Sequence, residues 1–485
     1  MTIQPSSSAS AKDDPVPQTD QPPPSLRYAS IDAVARQLGD GSISAVQLCE
    51  HVLAAVDEVD GSLRGYSQVL SKTALTEAAA SDARRKAGHA LGPLDGIPLA
   101  VKDLIDTRPA VCRAGLDHLA DYVPNADAGV VAALRQAGAV IVGVTETDPG
   151  AFSTDTPRTI NPLGPDRTVG GSSGGSAAVV AAGLAFAAIG TDTGGSIRIP
   201  AACCSIYGFK PTWGRIDTSG VRPLAYSLDH VGPLARSVAD LTLVQSVLDP
   251  ALGAVVDRDG AWSLGTCPAY FADAAPDVQA SVAATLDALR MRGAAVREVA
   301  LPSPTDVLAF HMVNLPKEAA DYHTSRFPDA WPDYPEIARA TVEAGRNTNP
   351  AGYAAAEEQR AAATAMVERA LETVDAIILP TMPVDAPPRD MRQVALGHKV
   401  VTKLEATIRY TALFNQTGHP VLELPATMLA DGRALGIQLV GKKNQDASLL
   451  ALAARIERVL SIRVDYADLV QSQAQNARRV RAELA

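Results

Sequence analysis

The sequence predicts an α/β protein built on one large sheet with a helical lobe. Three observations carry that prediction: amphipathic stretches alternate with short, fully apolar ones, turn residues mark the junctions, and helix-forming composition dominates residues 231–390. A chain of 485 residues can bury a substantial core, as one large domain with an addition or as two domains. Its 47% hydrophobic and 20% charged residues are those of a globular protein.

Ser30 can cap a helix in which Ile31, Val34 and Leu38 recur at helical spacing, ending near Gly39. A second helix begins near Ser44 and carries Val52, Leu53 and Val56. In "LGPLDGIPLAVKDLID" a Gly/Pro turn leads into a buried strand at residues 97–101, which delivers Lys102 and Asp103 at its end. Residues 128–136 read as a helix ended by Gly138, and the "AVIVGV" that follows reads as a strand of the kind a parallel sheet buries. The apolar run 177–189 falls short of the roughly 20 residues that span a bilayer and reads as a buried helix. Two clear helices, 277–293 and 354–374, each run into a strand, "AAVREVAL" and "DAIILP". Residues 420–443 predict a hairpin turning at Asp431–Gly432, and "ASLLALAARIERVL" a terminal helix. A polar Pro/Ser-rich tail (1–26), expected to be disordered, precedes a single domain (27–470) that includes the lobe, and a helical tail (471–485) follows it.

A net charge of −11 and a pI near 5.3, with no long Lys/Arg cluster, argue against a nucleic acid partner. The N-terminus lacks the basic head and continuous apolar core of a signal peptide, so a soluble, cytoplasmic protein with no membrane association is expected. Five scattered cysteines without a CxxC pair indicate buried thiols rather than a disulfide framework or a zinc site. With no metal-ligand cluster, no dinucleotide loop and no Walker phosphate loop, the expectation is that no metal or cofactor is required.

The stretch "RTVGGSSGGSAAVV" packs four glycines and three serines into positions 170–176, a composition shared with flexible linkers. Residues 170–174 also match the G-x-S-x-G nucleophile elbow, but an elbow needs a strand directly before it, and "INPLGPDRTV" supplies two prolines and a loop. An elbow would further need a histidine base; His230 and His419 sit in turn-like contexts.

Read together, "GGSSGGSAAVVAAG", "GTDTGGSIRIPA" and "GFKPTWGRI" strongly resemble the signature of the amidase signature family of serine hydrolases. "GPLDGIPLAVKDLIDT" is similar to that family's catalytic-lysine segment, and "LRQAGAVIVGVT", "SLDHVGPLARSVAD", "ILPTMP", "FNQTGHP" and "LGIQLVG" to its later landmarks, in the family's order over residues 30–460. The resemblance implies an α/β/α sandwich with a large mixed central sheet, and a Ser-Ser-Lys triad in place of a histidine. Ser196 is then the nucleophile, Ser172 the bridging serine, on a cis peptide flanked by glycines, and Lys102 the base; the 24-residue spacing selects Ser172 over Ser173. Thr193, Gly194, Gly195 and Ser196 would supply the oxyanion hole, with Gly171, Ser173, Asp192 and Arg198 in support.

Such a triad makes chemical sense. A serine hydroxyl needs a base to become a nucleophile, and a lysine serves only when neutral, which burial can bring about. The implied reaction is hydrolysis of the C–N bond of a small amide, anilide or carbamate by water, with esters as further substrates and the enzyme a monomer or homodimer. Two alternatives stay open: the amidase-like component of a glutamine amidotransferase complex, and a binding protein that has lost catalysis. Amidotransferase components of this type usually carry an aspartate seven residues before the Asn of the "FN" landmark; here that position is Ile408, which favours a stand-alone amidase. The resemblance places substrate contacts in residues 145–162 and in the lobe, where Phe310, His311, Tyr322, Phe327, Trp331, Tyr334 and Tyr353 cluster in a chain with 4% aromatics. If some of these line the mouth, an aryl or hydrophobic substrate fits better than a small charged one.

Overall fold

The computed structural model of the protein describes residues 26–256, 260 and 262–473. Its strands are β1 (Tyr66–Val69), β2 (Pro98–Lys102), β3 (Val140–Thr145), β4 (Ala187–Asp192), β5 (Tyr207–Lys210), β6 (His230–Ala235), β7 (Trp262–Thr266), β8 (Ala294–Glu298), β9 (Ala376–Pro380), β10 (Gln393–Leu396), β11 (Lys399–Thr402), β12 (Val421–Met428) and β13 (Ala434–Val440). Eleven of them form one mixed sheet in the order β1-β3-β2-β4-β6-β5-β12-β13-β9-β7-β8, flanked by helices, while β10 and β11 pair as a separate hairpin. The β3-β2-β4 and β8-β7-β9 groups are parallel; every other neighbouring pair in the sheet is antiparallel. Strands β2, β3, β4, β6 and β9 are buried along their whole length, which is why they read as apolar runs rather than alternating ones.

Local signals set the early elements. Ser30 Oγ accepts from the Ala33 amide at the start of helix Ile31–Asp40, which ends two residues later than expected from Gly39, with Gly41 at φ 78°. Ser44 and Gln47 form a reciprocal capping box at the start of helix Ala45–Leu63. Helix Gly129–Gln136 runs into β3, and the hairpin of β12 and β13 closes through Leu429 and Arg433 around Asp431–Gly432. Helix Asp446–Leu460 follows, and residues 466–473 are helical.

One expectation fails. The run 177–189 is not a single buried helix: helix Gly174–Ala181 stops, Gly183 turns the chain at φ 69°, and β4 begins at Ala187. Both elements are wholly buried, so neither shows the polar face that would have marked the boundary. Residues 231–390 contribute β7, β8 and β9 to the sheet, and between β8 and β9 they send out three helices, Pro304–Arg326, Glu336–Arg346 and Pro350–Glu372. Residues 1–25 and 474–485, which hold most of both expected tails, lie outside the described residues.

The sheet positions the chemistry. Parallel β2 and β4 pair with Val101 opposite Ile189, so Lys102 at the end of one strand and Thr191 and Asp192 at the end of the other emerge side by side. Open α/β sheets place their ligands at the carboxyl ends of parallel strands in this way.

Candidate active site

Lys102 is completely buried, and its Nζ lies 2.7 Å from Ser172 Oγ and 2.8 Å from Thr191 Oγ1. No carboxylate is within salt-bridge distance of it among the described residues. Burial therefore pushes the ammonium down to about 7, a fall that the negative charges of Asp148, Asp192 and Asp229 limit but do not reverse. An amine in this state sits beside a hydroxyl to which it can give a proton or from which it can take one.

The Gly/Ser stretch is a fixed loop that runs into helix Gly174–Ala181. The Gly171–Ser172 peptide is cis. Gly171 is required by space: a Cβ there would stand 2.6 Å from the backbone of Asp155. The Ser172 carbonyl accepts from Thr147 Oγ1 (3.0 Å) and Thr156 Oγ1 (3.3 Å), fixing the peptide on its other side. Ser173 does the joining. Its hydroxyl donates to the Thr191 carbonyl (3.1 Å) and accepts from the Thr191 amide (3.3 Å), and its amide donates to the Ser196 carbonyl (3.2 Å). The loops of Ser172 and Ser196 are thereby bonded to one another, and Ser196 is 6% exposed where Ser172 is fully buried.

Asp192 and Arg198 shape the turn that carries Ser196. Arg198 Nε and Nη2 donate to the two oxygens of Asp192, each at 3.0 Å, and both side chains are fully buried. Asp192 also accepts from the amides of Gly195 (2.8 Å) and Ile197 (3.1 Å) and from Asn415 Nδ2 (2.8 Å). Burial alone would raise this carboxyl, but the charge and hydrogen bonds of Arg198, with Lys210 and Asn415, hold it well below the usual carboxylate range. Of the four amides expected to face a reacting oxygen, that of Gly195 is thus directed at Asp192 instead. Gly195 itself adopts φ 134°, a conformation that favours glycine. Thr193 Oγ1 donates to Asp229 (2.5 Å), and Thr411 Oγ1 to the Gly194 carbonyl (2.5 Å).

Thr191, Asp148, Asp229, Thr411 and Asn415 received no role from sequence reasoning, although all but Thr411 fall within motifs that reading singled out. Burial pushes Asp148 up to about 7, against the bonds it accepts from Ser153, and Asp229 likewise, against the bonds it accepts from Thr193, Ala225 and Leu224. The histidines considered as bases have other partners: His230 Nδ1 donates to the Leu228 carbonyl (2.7 Å), and His419 Nδ1 pairs with Thr417 Oγ1 (2.9 Å). Burial depresses both. The lobe aromatics are mostly packed away: Tyr334, Phe327 and Trp331 join Phe152, Leu104 and Leu224 in a satellite core, and Phe310 lies in the main one. Among the described residues no group of three or more His, Cys, Asp or Glu could hold a metal ion, and no helix is long and apolar enough to cross a membrane.

Residues 47–450 match the family model described as Amidase. The amidase-like component of the glutamyl-tRNA(Gln) amidotransferase of Chloroflexus aggregans is 33% identical over 495 residues, covering 92% of this chain and 99% of its own. A crystal structure of an amidase superposes with a TM-score of 0.81 at 32% identity, over 89% of this chain and all of that one. The native peptide amidase of Stenotrophomonas maltophilia gives 0.73 at 25%, over 90% and 98%. A match of this extent, on a mixed sheet with the same signature segments in order, means that the chain belongs to the amidase signature family and is a hydrolase of amide C–N bonds.

Proposed function

We propose that the protein is a stand-alone amidase that works through an acyl-enzyme on Ser196. The observation that carries this reading is Lys102, fully buried and 2.7 Å from Ser172, with hydroxyls for partners. Neutral Lys102 takes the Ser172 proton as Ser172 takes that of Ser196, and Ser196 Oγ forms a bond to the substrate carbonyl carbon. The oxyanion rests on the amides of Thr193, Gly194 and Ser196, while Gly195, held by Asp192, sets the curve of the loop. The proton returns through Ser172 to the leaving nitrogen, the C–N bond breaks, and water repeats the sequence on the acyl-serine to release the acid.

Amides, anilides and carbamates all present the carbonyl and leaving nitrogen that this relay serves. The amidotransferase reading draws on the Chloroflexus relative, but Ile408, buried beside Gly194, puts an apolar side chain where that reading expects a carboxylate. The test is labelling by a fluorophosphonate, followed by a panel of amides, anilides, carbamates, esters and free glutamine. Ser196→Ala is expected to abolish both labelling and hydrolysis with the fold intact. Labelling that persists on Ser172 or Ser173 would move the nucleophile, and turnover confined to glutamine would favour the amidotransferase.

A further inference from the structure

An open cavity of about 310 Å³ lies between helix Pro304–Arg326 and helix Lys403–Ile408. Leu308 and Met312, one turn apart on the first helix, face Leu404 and Ile408 of the second, with Glu405 as the charged group on its wall. The inner end reaches the nucleophile loop. A Cβ placed on Gly194 would stand 3.9 Å from Ile408 Cγ2 and 3.2 Å from Nε2 of His311, the residue next to Met312. His311 is buried and fixed there by Gln416, whose Nε2 lies 3.0 Å from its Nδ1.

We infer that this cleft seats an uncharged apolar substituent of the substrate, an alkyl chain or ring joined to the scissile amide. The inference rests on the amidase reading of Ser196 and narrows its substrate class. Three features argue for it. The volume falls at the lower end of the roughly 300–1,000 Å³ typical of small-molecule sites. The wall is aliphatic, and Met312 is 49% exposed, an apolar side chain left facing the opening. Finally, the cleft is continuous with Gly194, so a group seated in it is tethered to a carbonyl within reach of Ser196. Glu405 sets the sign of selection, since a carboxylate on the substituent would meet a like charge.

Two substrate series show on which side of the amide the substituent lies: p-nitroanilides of acetic, butyric, hexanoic and octanoic acids, and acetanilides with para-alkyl chains of rising length. In one of them kcat/KM is expected to climb with chain length, and Met312→Lys to cut the ratio of longest to shortest by about tenfold or more, with Leu404→Lys acting in the same direction. A second arm needs no turnover: calorimetry of octanamide with Ser196→Ala, where adding Met312→Lys is expected to weaken binding by about tenfold. If binding depends on Met312 while the wild type hydrolyses neither series, the hydrolytic reading falls and the cleft stands. Hydrolysis through Ser196 with a chain-length preference untouched by both lysine variants, or octanamide that does not bind or binds indifferently to Met312, overturns the cleft.

Discussion

Lys102 and Arg198 are both fully buried cations within one site, and the protein treats them in opposite ways. Arg198 is caged: its fork meets both oxygens of Asp192, and Asn415, Gln438 and the Thr411 carbonyl take its remaining hydrogens. A guanidinium so satisfied stays charged, and its worth is architectural, since it fixes the turn that presents Ser196. Lys102 receives hydroxyls in place of a carboxylate, so its charge is left uncompensated and the neutral amine becomes accessible near neutral pH. A buried cation with a partner builds the site, and one denied a partner can do chemistry in it.

Replacing Lys102 should produce the largest functional effect. Lys102→Met is expected to lower amide turnover by about 10⁴-fold or more in single-turnover assays, the scale seen when a member of a nucleophile-base unit is removed. Its melting temperature should hold or rise, because an uncompensated buried amine is replaced by an apolar side chain of similar length. Lys102→Arg should not restore activity, since a guanidinium cannot accept the proton. Arg198→Met should invert this pattern and act on folding, costing about 3–5 kcal/mol in urea unfolding because Asp192 is left charged and unpaired. An Arg198→Met protein of unaltered stability would break the contrast. Thr191→Val removes one of the two hydroxyls beside Lys102 and should reduce kcat by about tenfold. It should also move the apparent pKa of the pH–rate profile downward, since a hydroxyl accepting from the ammonium favours the charged form. The smallest effect expected is none: dialysis against EDTA should leave amide turnover unchanged.

Elements whose signals are local were legible in the sequence. The caps at Ser30 and Ser44, the apolar strands ending at Lys102 and Asp192, and the hairpin at Asp431–Gly432 each depend on residues within a few positions of one another. The split of 177–189 was not legible, because a helix and a strand that are both wholly buried share one composition and differ only in what surrounds them. The same limit applies to the site. Lys102, Ser172 and Ser196 lie in recognisable motifs, but Asn415 reaches Asp192 across 223 residues, and only the assembled sheet joins them. Tyr334 and Phe327 look like pocket residues by type, yet they pack with His323, Phe152 and His118, a choice made by helix packing in the lobe.

The most direct test of the contrast is the pH dependence of fluorophosphonate labelling at Ser196, compared between the wild type and Lys102→Met. Lys102 loses its proton as pH rises through its depressed value, and only the neutral amine can act as base. Labelling of the wild type should therefore be slow in acid and rise through an apparent midpoint near 7, while Lys102→Met should label slowly and without that rise. A rise with the same midpoint in Lys102→Met would contradict the account, and would assign the titration to Asp148 or Asp229, which burial also brings to about 7.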